Sequence, residues 1–408
     1  MTDPAGRCFV SYRRSRAAEA ELLVLALHDV GVPTWQDIAN LDAEPTEDEL
    51  GRVLDDSSTA SALLWITPEV VDSPIIRKVE VPKMIERRRR GDGFFVQPVA
   101  AGGLDYDKAA RIAGEHLGVD DLATWNLEKV DANPIEPADA AHIAELVLRR
   151  RVKEIAGRLE PRDPLRLSIH TRAAAPVVTG TAVALDWSRR FDGRLAPTDA
   201  WDDRLLPALA AVTAAIRELA PGRGVEATGL VALPAAAALG AAFLAPTRLD
   251  LEWCQTKAGR PDQIWSLGAE RDASTVEIDQ ISGDASSQEM AVVVSMNHDA
   301  EEALRHSEPE VPPFRGHVRL RGPGGHPADL ETPGQAADAA FRLIDSIGNA
   351  RRRWRDIRRI HLFIAGPAGF AILVGQLLNG LGPVQTYEHI PSDGIGHYRR
   401  AVLLHPGA

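Results

Sequence analysis

The chain has 408 residues, 45% hydrophobic and 25% charged, the composition of a globular rather than a disordered protein. Its 46 basic and 58 acidic residues give a net charge of −12, which argues against general binding to DNA or RNA polymers and leaves room only for a local basic pocket that takes a small anion. Two cysteines, Cys8 and Cys254, are too few for a disulfide framework, no Cys/His cluster has zinc spacing, and the short polar start predicts no signal peptide, so a reducing cytoplasm and no metal are expected.

Length predicts two to three domains, and the elements can be taken in chain order. Residues 8–12 read as an apolar strand. Ala17 to Val30 has helical spacing of Leu22, Leu23, Leu25, Ala26 and Val30, with Gly31 placed to end it. Val32 to Trp35 reads as a second strand, followed by an acidic loop from Asp37 to Asp48 and a short helix at 50–55. Residues 62–66 are nearly all apolar, as a strand buried on both faces should be. Ser73 can cap a helix that has Pro74 at its first position, and 94–99 reads as a fourth strand. Strands alternating with helices predict a parallel sheet.

Residues 131–139 read as a boundary and 140–159 as a charged connector helix. Beyond it, strands are expected at 165–169, 182–187, 225–231 and 249–253, with helices at 205–219 and 234–244. The polar stretch 266–289 reads as a loop or second boundary. The pattern then recurs: strands at 290–296, 317–320, 359–365, 384–387 and 398–404, helices at 336–354 and 367–381. Leu233-Pro234-Ala235-Ala236 and Gly366-Pro367-Ala368-Gly369 each open a helix after a strand, so the region reads as two related α/β half-units. Gly229 to Pro246 and Leu362 to Val384 carry no charge, but their Pro, Gly and polar residues favour a buried strand, turn and helix over a membrane span.

Three motifs in order resemble a known family: Phe9-Val10-Ser11-Tyr12-Arg13-Arg14-Ser15; Trp35-Gln36-Asp37; and Thr67-Pro68-Glu69-Val70-Val71-Asp72-Ser73-Pro74 followed by Glu80. Together they resemble the TIR domain over residues 8 to about 120. The resemblance implies a flavodoxin-like fold with a parallel sheet, and in its enzymatic members cleavage of NAD by a glutamate that Glu80 matches. Nicotinamide leaves as a neutral molecule from a cationic precursor, so no acid need protonate it; one carboxylate that stabilises the positive charge growing on the ribose can suffice. Read without the family, Glu80 is a solvated helix carboxylate beside Arg77 and Lys83. Two features depart from the family: Ser73 to Glu80 is one residue longer than its commonest spacing, and Pro82 threatens the helix. Glu86 is the fallback and faces elsewhere on a helix. Tyr12, Arg13, Arg14, Trp35, Asp37 and Ser73 are expected around NAD, with Arg13 or Arg14 on the pyrophosphate. Trp35 reads equally well as core. Arg87 to Arg90 read as a solvated helix end, or as an interface to a neighbouring copy.

Residues 163–408, with the ending Arg359-Ile360-His361-Leu362-Phe363-Ile364-Ala365-Gly366-Pro367-Ala368-Gly369, resemble the SAVED domain, a fused pair of Rossmann-like CARF units that senses cyclic oligonucleotides. The expected organisation is a TIR domain at 1–135, a connector at 136–162 and a sensor at 163–408, with half-units at about 163–265 and 288–408. The Gly366, Pro367, Ala368, Gly369 turn places backbone N–H groups where a phosphate would bind. Strand ends add His170, Arg172, Ser295, Asn297 and Tyr387, with His298 and Trp253 secondary. The paired resemblance implies an effector of cyclic-oligonucleotide-based antiphage signalling (CBASS). A cyclic oligonucleotide, expected to be a trinucleotide from a partner synthase, would drive oligomer or filament formation and switch on NAD hydrolysis to nicotinamide and ADP-ribose. The competing expectation is a non-enzymatic adaptor that recruits a partner when the ligand binds.

Overall fold

The computed structural model describes residues 1–35, 47–247, 249–256, 259, 261–307, 311–392 and 395–407. The chain is mixed α/β and divides into two compact units. The first holds residues 1–168, 175–186 and 214–221; the second holds 169–174, 187–213 and 222–408.

In the first unit, β1 (Arg7–Ser11), β2 (Thr59–Ile66), β3 (Phe95–Ala100) and β4 (Glu128–Lys129) form a parallel sheet in that order. Every residue of β2 and β3 is buried, as the apolar runs predict. The expected strand at 32–35 contracts to one parallel bridge, Thr34 to Cys8, on the outer side of β1. Counting that bridge as the second strand, the order is two-one-three-four-five, the flavodoxin-like arrangement, with its crossover reversal beside β1. Helices α1 (Ala17–Asp29), α2 (Glu47–Asp55), α3 (Val81–Arg90) and α4 (Tyr106–Ile112) connect the strands. Gly31 ends the first of these at φ 83°, and a Cβ there would strike the Val183 side chain and backbone.

The helix expected as a connector, α5 (Pro137–Ala156), packs against α1 as part of this unit. It begins with a reciprocal capping box between Glu136 and Asp139. Its Arg151 is fully buried. The guanidinium donates to the carbonyls of Ala5 and Gly6, to Ala182 at 2.8 Å and to Thr181 at 3.1 Å. Burial pushes its pKa down to about 10, opposed by the charges of Asp3 and Cys8. Arg151→Ala takes this donor from four carbonyls, and at about 1–3 kcal/mol for each unsatisfied group the expected loss of stability is at least ~4 kcal/mol. Arg151→Met keeps most of the stem and is expected to lose nearly as much in a denaturant titration; full recovery by Met would make the residue a packing element instead.

Arg87 corrects the reading of 87–90 as a solvated run. Its side chain is buried, donates to Leu54, Asp56 and Thr59 carbonyls and to Thr2 Oγ1, and lies 4.6 Å over the Phe94 ring. Only the rest of the run faces outward: Arg88 covers Trp125, and Arg90 reaches Asp55 and Glu86.

Two strands follow α5: β5 (Leu165–His170), which begins in the first unit, and β6 (Thr181–Asp186), which belongs to it. In the second unit come α6 (Thr198–Ala200), α7 (Leu206–Leu219, its last turn counted with the first unit), β7 (Val225–Leu230), α8 (Leu233–Ala242), β8 (Leu251–Gln255) and β9 (Gln263–Trp265). Strand β7 pairs parallel with β8, and β8 antiparallel with β9. The second half-unit supplies β10 (Glu277–Ser282), β11 (Glu289–Ser295), α9 (Ala300–Arg305), β12 (Gly316–Arg321), α10 (Pro333–Arg353), β13 (Arg359–Ala365), α11 (Ala368–Gln376), β14 (Val384–Ile390) and β15 (His397–Leu404). These strands form one sheet in the order β10-β12-β11-β13-β14-β15, parallel inside and antiparallel at both edges. The polar stretch expected as a loop therefore contributes β10, an edge strand with no fully buried residue: Glu277 and Asp279 share one face, and Gln280 on the other donates to Ser346 of α10.

The two uncharged stretches are buried α/β segments, and among the described residues no helix is long and apolar enough to cross a membrane. Helices α8 and α11, the matching helices of the two half-units, pack directly on each other.

Candidate functional site

In the first unit, Ser11 ends β1 at the carboxyl edge of the sheet, beside the crossover reversal where open α/β sheets bind ligands. Its hydroxyl donates to Glu80 Oε2 at 2.5 Å. Glu80 is 7% exposed, so the reading of a solvated helix carboxylate does not hold. Burial raises its pKa to about 7, with the Ser11 hydrogen bond pulling the other way. The extra residue between Ser73 and Glu80 has a structural outlet. Residues Ile76–Glu80 form a π-turn, which absorbs one residue more than an α-turn. The chain stays helical through Pro82: Glu80 and Val81 keep right-handed helical angles, and the Val81 N–H reaches back to the Ile76 carbonyl. Ser73 accepts from the Ile76 N–H at 3.4 Å, the expected capping role. Glu86 is exposed and paired with Lys83 and Arg90, away from Ser11.

Of the other residues expected around NAD, Tyr12 and Arg13 are half-buried just past Ser11, and Arg14 is exposed. Trp35 stacks on Phe9 at 5.6 Å and packs on the unit's hydrophobic core, which favours its structural reading. Asp37 lies outside the described residues.

In the second unit the parallel strands run β12-β11-β13-β14. The strand order reverses at β11, from which the chain moves to β12 on one side and then to β13 on the other, and this puts a crevice at the carboxyl ends of β11 and β13. A cavity of about 400 Å³ opens there, lined by Gln255, Gln263, Trp265, Met296, Asn297, Pro367 and the loop Ala328–Glu331, among others. Its size suits part of a nucleotide. Asn297 and Pro367, both expected at the site, border it. The backbone N–H groups of Met296 and Asn297 both donate to Ala365, which fixes the two strand ends together.

Gly369 behaves differently from expectation. Its N–H is taken by Gln255 Oε1 at 3.2 Å, and a Cβ would collide with Trp253, Gln255 and Trp265. Gly369 thus lets the start of α11 pack closely on β8 and β9, and Trp253 is part of that packing. Two further expectations are corrected. Ser295 is buried and accepts from the Ala300 N–H at the start of α9, beside the Asp299 cap. Tyr387 is core: it stacks on Phe363 at 4.3 Å and its hydroxyl is 2.7 Å from His361 Nδ1.

Arg172, just past β5, reaches Glu388 at 3.4 Å, and Arg194 reaches the same oxygen at 3.3 Å. His170 ends β5 and accepts at its carbonyl from the Trp187 N–H. His298 lies 4.5 Å from His389, ring to ring. Sequence reasoning missed Glu388, because β14 was expected to stop at Tyr387 and runs on to Ile390, and it missed Arg194, which lies in the segment between β6 and α6. It also missed Gln255, Gln263 and Trp265, for which the signal was a short antiparallel hairpin after β8.

Residues 208–404 match the profile of the SMODS-associated and fused to various effectors sensor domain, SAVED. Two solved structures share the fold at 15% identity and a TM-score of 0.51, each covering 80% of this chain and 85% of its own. Both are of the Acinetobacter baumannii Cap4 SAVED/CARF-domain containing receptor, one with the cyclic trinucleotide 3′3′3′-cAAA and one with 2′3′3′-cAAA. No curated protein matches the chain.

Proposed function

We propose that residues 208–404 bind a cyclic oligonucleotide, a trinucleotide by analogy with the bound Cap4 receptors, and that binding switches on cleavage of NAD in the first unit. The cavity at the β11/β13 reversal carries this reading. It lies at the carboxyl ends of parallel strands and is rimmed by the amides of Gln255, Gln263 and Asn297 and by Trp265. Amide side chains can read base edges and an indole can stack on a base. Glu80, buried and with the Ser11 hydroxyl as its hydrogen-bond donor among the described residues, supports the enzymatic half. Its carboxylate would stabilise the cationic ribose as nicotinamide departs, and water would then complete hydrolysis to ADP-ribose. TIR-like sites are expected to be completed by assembly, so ligand-driven oligomers or filaments are the coupling we favour. The biological setting would be antiphage defence through NAD depletion, with the messenger made by a partner synthase and the protein acting in the cytoplasm.

The test mixes the full chain with a fluorescent NAD analogue and a panel of cyclic di-, tri- and tetranucleotides. Cleavage switched on by one ligand, with a rate per protomer that rises with concentration, is the expected result. Asn297→Ala should weaken activation by about tenfold, the loss of roughly one base contact. Cleavage without ligand would remove the switch. Binding without cleavage at any concentration would favour the recruiting adaptor.

A further inference from the structure

Glu388 is 2% exposed at the end of β14. Burial raises its pKa, opposed by the charges of Arg172 and Arg194 and by a hydrogen bond from the Leu233 backbone N–H. Leu233 is the first residue of α8, so the carboxylate sits at that helix's positive end. Two guanidinium groups and a helix N-terminus around one anion are what a phosphate site requires. The occupant fits it poorly. Both arginine contacts, 3.4 and 3.3 Å, are long for charge-assisted bonds and go to the same oxygen. Oε2 is buried and finds no hydrogen-bond partner among the described residues. Nearby, the Tyr398 hydroxyl and His298 Nε2 are likewise buried and unbonded. The arginine side chains keep 32% and 39% exposure, so their outer faces remain open to solvent.

We propose that Glu388 is an internal stand-in for phosphate: it fills an anion site made by Arg172, Arg194 and the first turn of α8, and a ligand phosphate enters by displacing it. The proposal rests on the oligonucleotide-sensing reading and adds a threshold to it. In the empty sensor the arginines are satisfied by an internal anion and have little attraction for stray nucleotides. A ligand with several phosphates held at fixed spacing can outbid one loosely held carboxylate, whereas a single phosphate gains little over it. The arrangement is negative selection by an occupied site, and it tolerates three unbonded polar atoms to do so.

The experiment titrates the full chain with 3′3′3′-cyclic triadenylate and, separately, with inorganic pyrophosphate, by calorimetry. Glu388→Gln removes the competing charge and is expected to bind both probes about tenfold more tightly. Arg194→Gln placed on top of it should erase the gain. Glu388→Asp keeps the charge but shortens its reach, and an intermediate gain is expected; this variant also keeps the test open should the Gln protein fail to fold. If wild type binds cyclic triadenylate and neither Glu388 variant binds more tightly, the stand-in is wrong and the sensor reading stands. If Glu388→Gln binds pyrophosphate more tightly in the arginine-dependent way while no variant binds a cyclic nucleotide, the masked anion site stands and the sensor reading falls.

Discussion

Glu80→Gln is expected to do two opposite things: to reduce NAD cleavage by about 100- to 1,000-fold and to make the folded protein more stable at pH 8. The first follows, on the proposed function, from losing the charge that would face the cationic ribose. The second follows from the cost of burying that charge. The Glu80 carboxyl has a pKa of about 7 in the fold against an ordinary 4.5, because it is buried with a single hydroxyl donor. Below about pH 4.5 it is protonated in both states and contributes nothing. Between 4.5 and 7 the folded state retains a proton that the unfolded chain has lost, so stability falls as pH rises. Above 7 the full penalty is present, on the order of 3 kcal/mol. Glutamine carries no charge, so the variant should lose that pH dependence and melt a few degrees higher at pH 8. Activity runs the other way, since the ionised form is the useful one: cleavage should rise with pH through about 7. Thermal melts at pH 5 and pH 8, with initial rates over the same range, check both arms. A carboxylate kept for structure would give the reverse, a less stable Gln protein and an indifferent rate. Glu86→Gln is the control, because Glu86 is exposed and paired with Lys83 and Arg90, and neither quantity should move.

That carboxylate shows what a sequence discloses and what it withholds. The order Ser11, Ser73, Glu80 and the apolar runs of β2 and β3 were legible, because strand burial and helix starts are local properties. The spacing anomaly was legible too, but not its resolution: whether an extra residue makes a π-turn depends on what holds the two ends, here the Ser73 cap and the packing of α3. In the second unit Arg359–Ala365 is the strand its unbroken apolar run predicts. Strand β10 was hidden, since an edge strand need bury only part of one face and its residues are polar. Site residues failed where a polar group serves the backbone. Ser295 accepts from the Ala300 N–H five residues on, and the Gly369 N–H meets Gln255, a partner set by tertiary approach. Glu388 was missed for the same reason: its meaning comes from Arg172 and Arg194, which lie 216 and 194 residues away.

Gly375→Ala should destabilise the second unit, against the sign that helix propensity alone predicts. Alanine in a helix interior is favoured over glycine by about 1 kcal/mol. At this position, however, helices α8 and α11 touch backbone to backbone. A Cβ on Gly375 would lie 2.4 Å from the Ala237 carbonyl oxygen and 2.9 Å from the Gly240 Cα, and one on Gly240 would lie 2.2 Å from the Ile372 oxygen. These are main-chain atoms in regular helices, so the pair must move apart, at about 1–3 kcal/mol for the alanine and more for valine. Gly51→Ala supplies the opposite case: it lies in α2 with nothing within 4 Å of its Cβ position, and a gain of about 0.5–1 kcal/mol is expected. Because Gly240 and Gly375 face each other, the double alanine variant should cost less than the sum of the singles, since one separation relieves both clashes. The functional consequence follows from where these helices begin. The first turn of α11 binds Gln255, which lines the cavity, and the first turn of α8 binds Glu388. Spreading the helices shifts both N-termini, so Gly375→Val should lose cyclic-nucleotide affinity even in protein that remains folded. A Gly375→Val protein with wild-type stability and wild-type binding would mean that the helix contact is slack, and that the two half-units do not share one rigid seam.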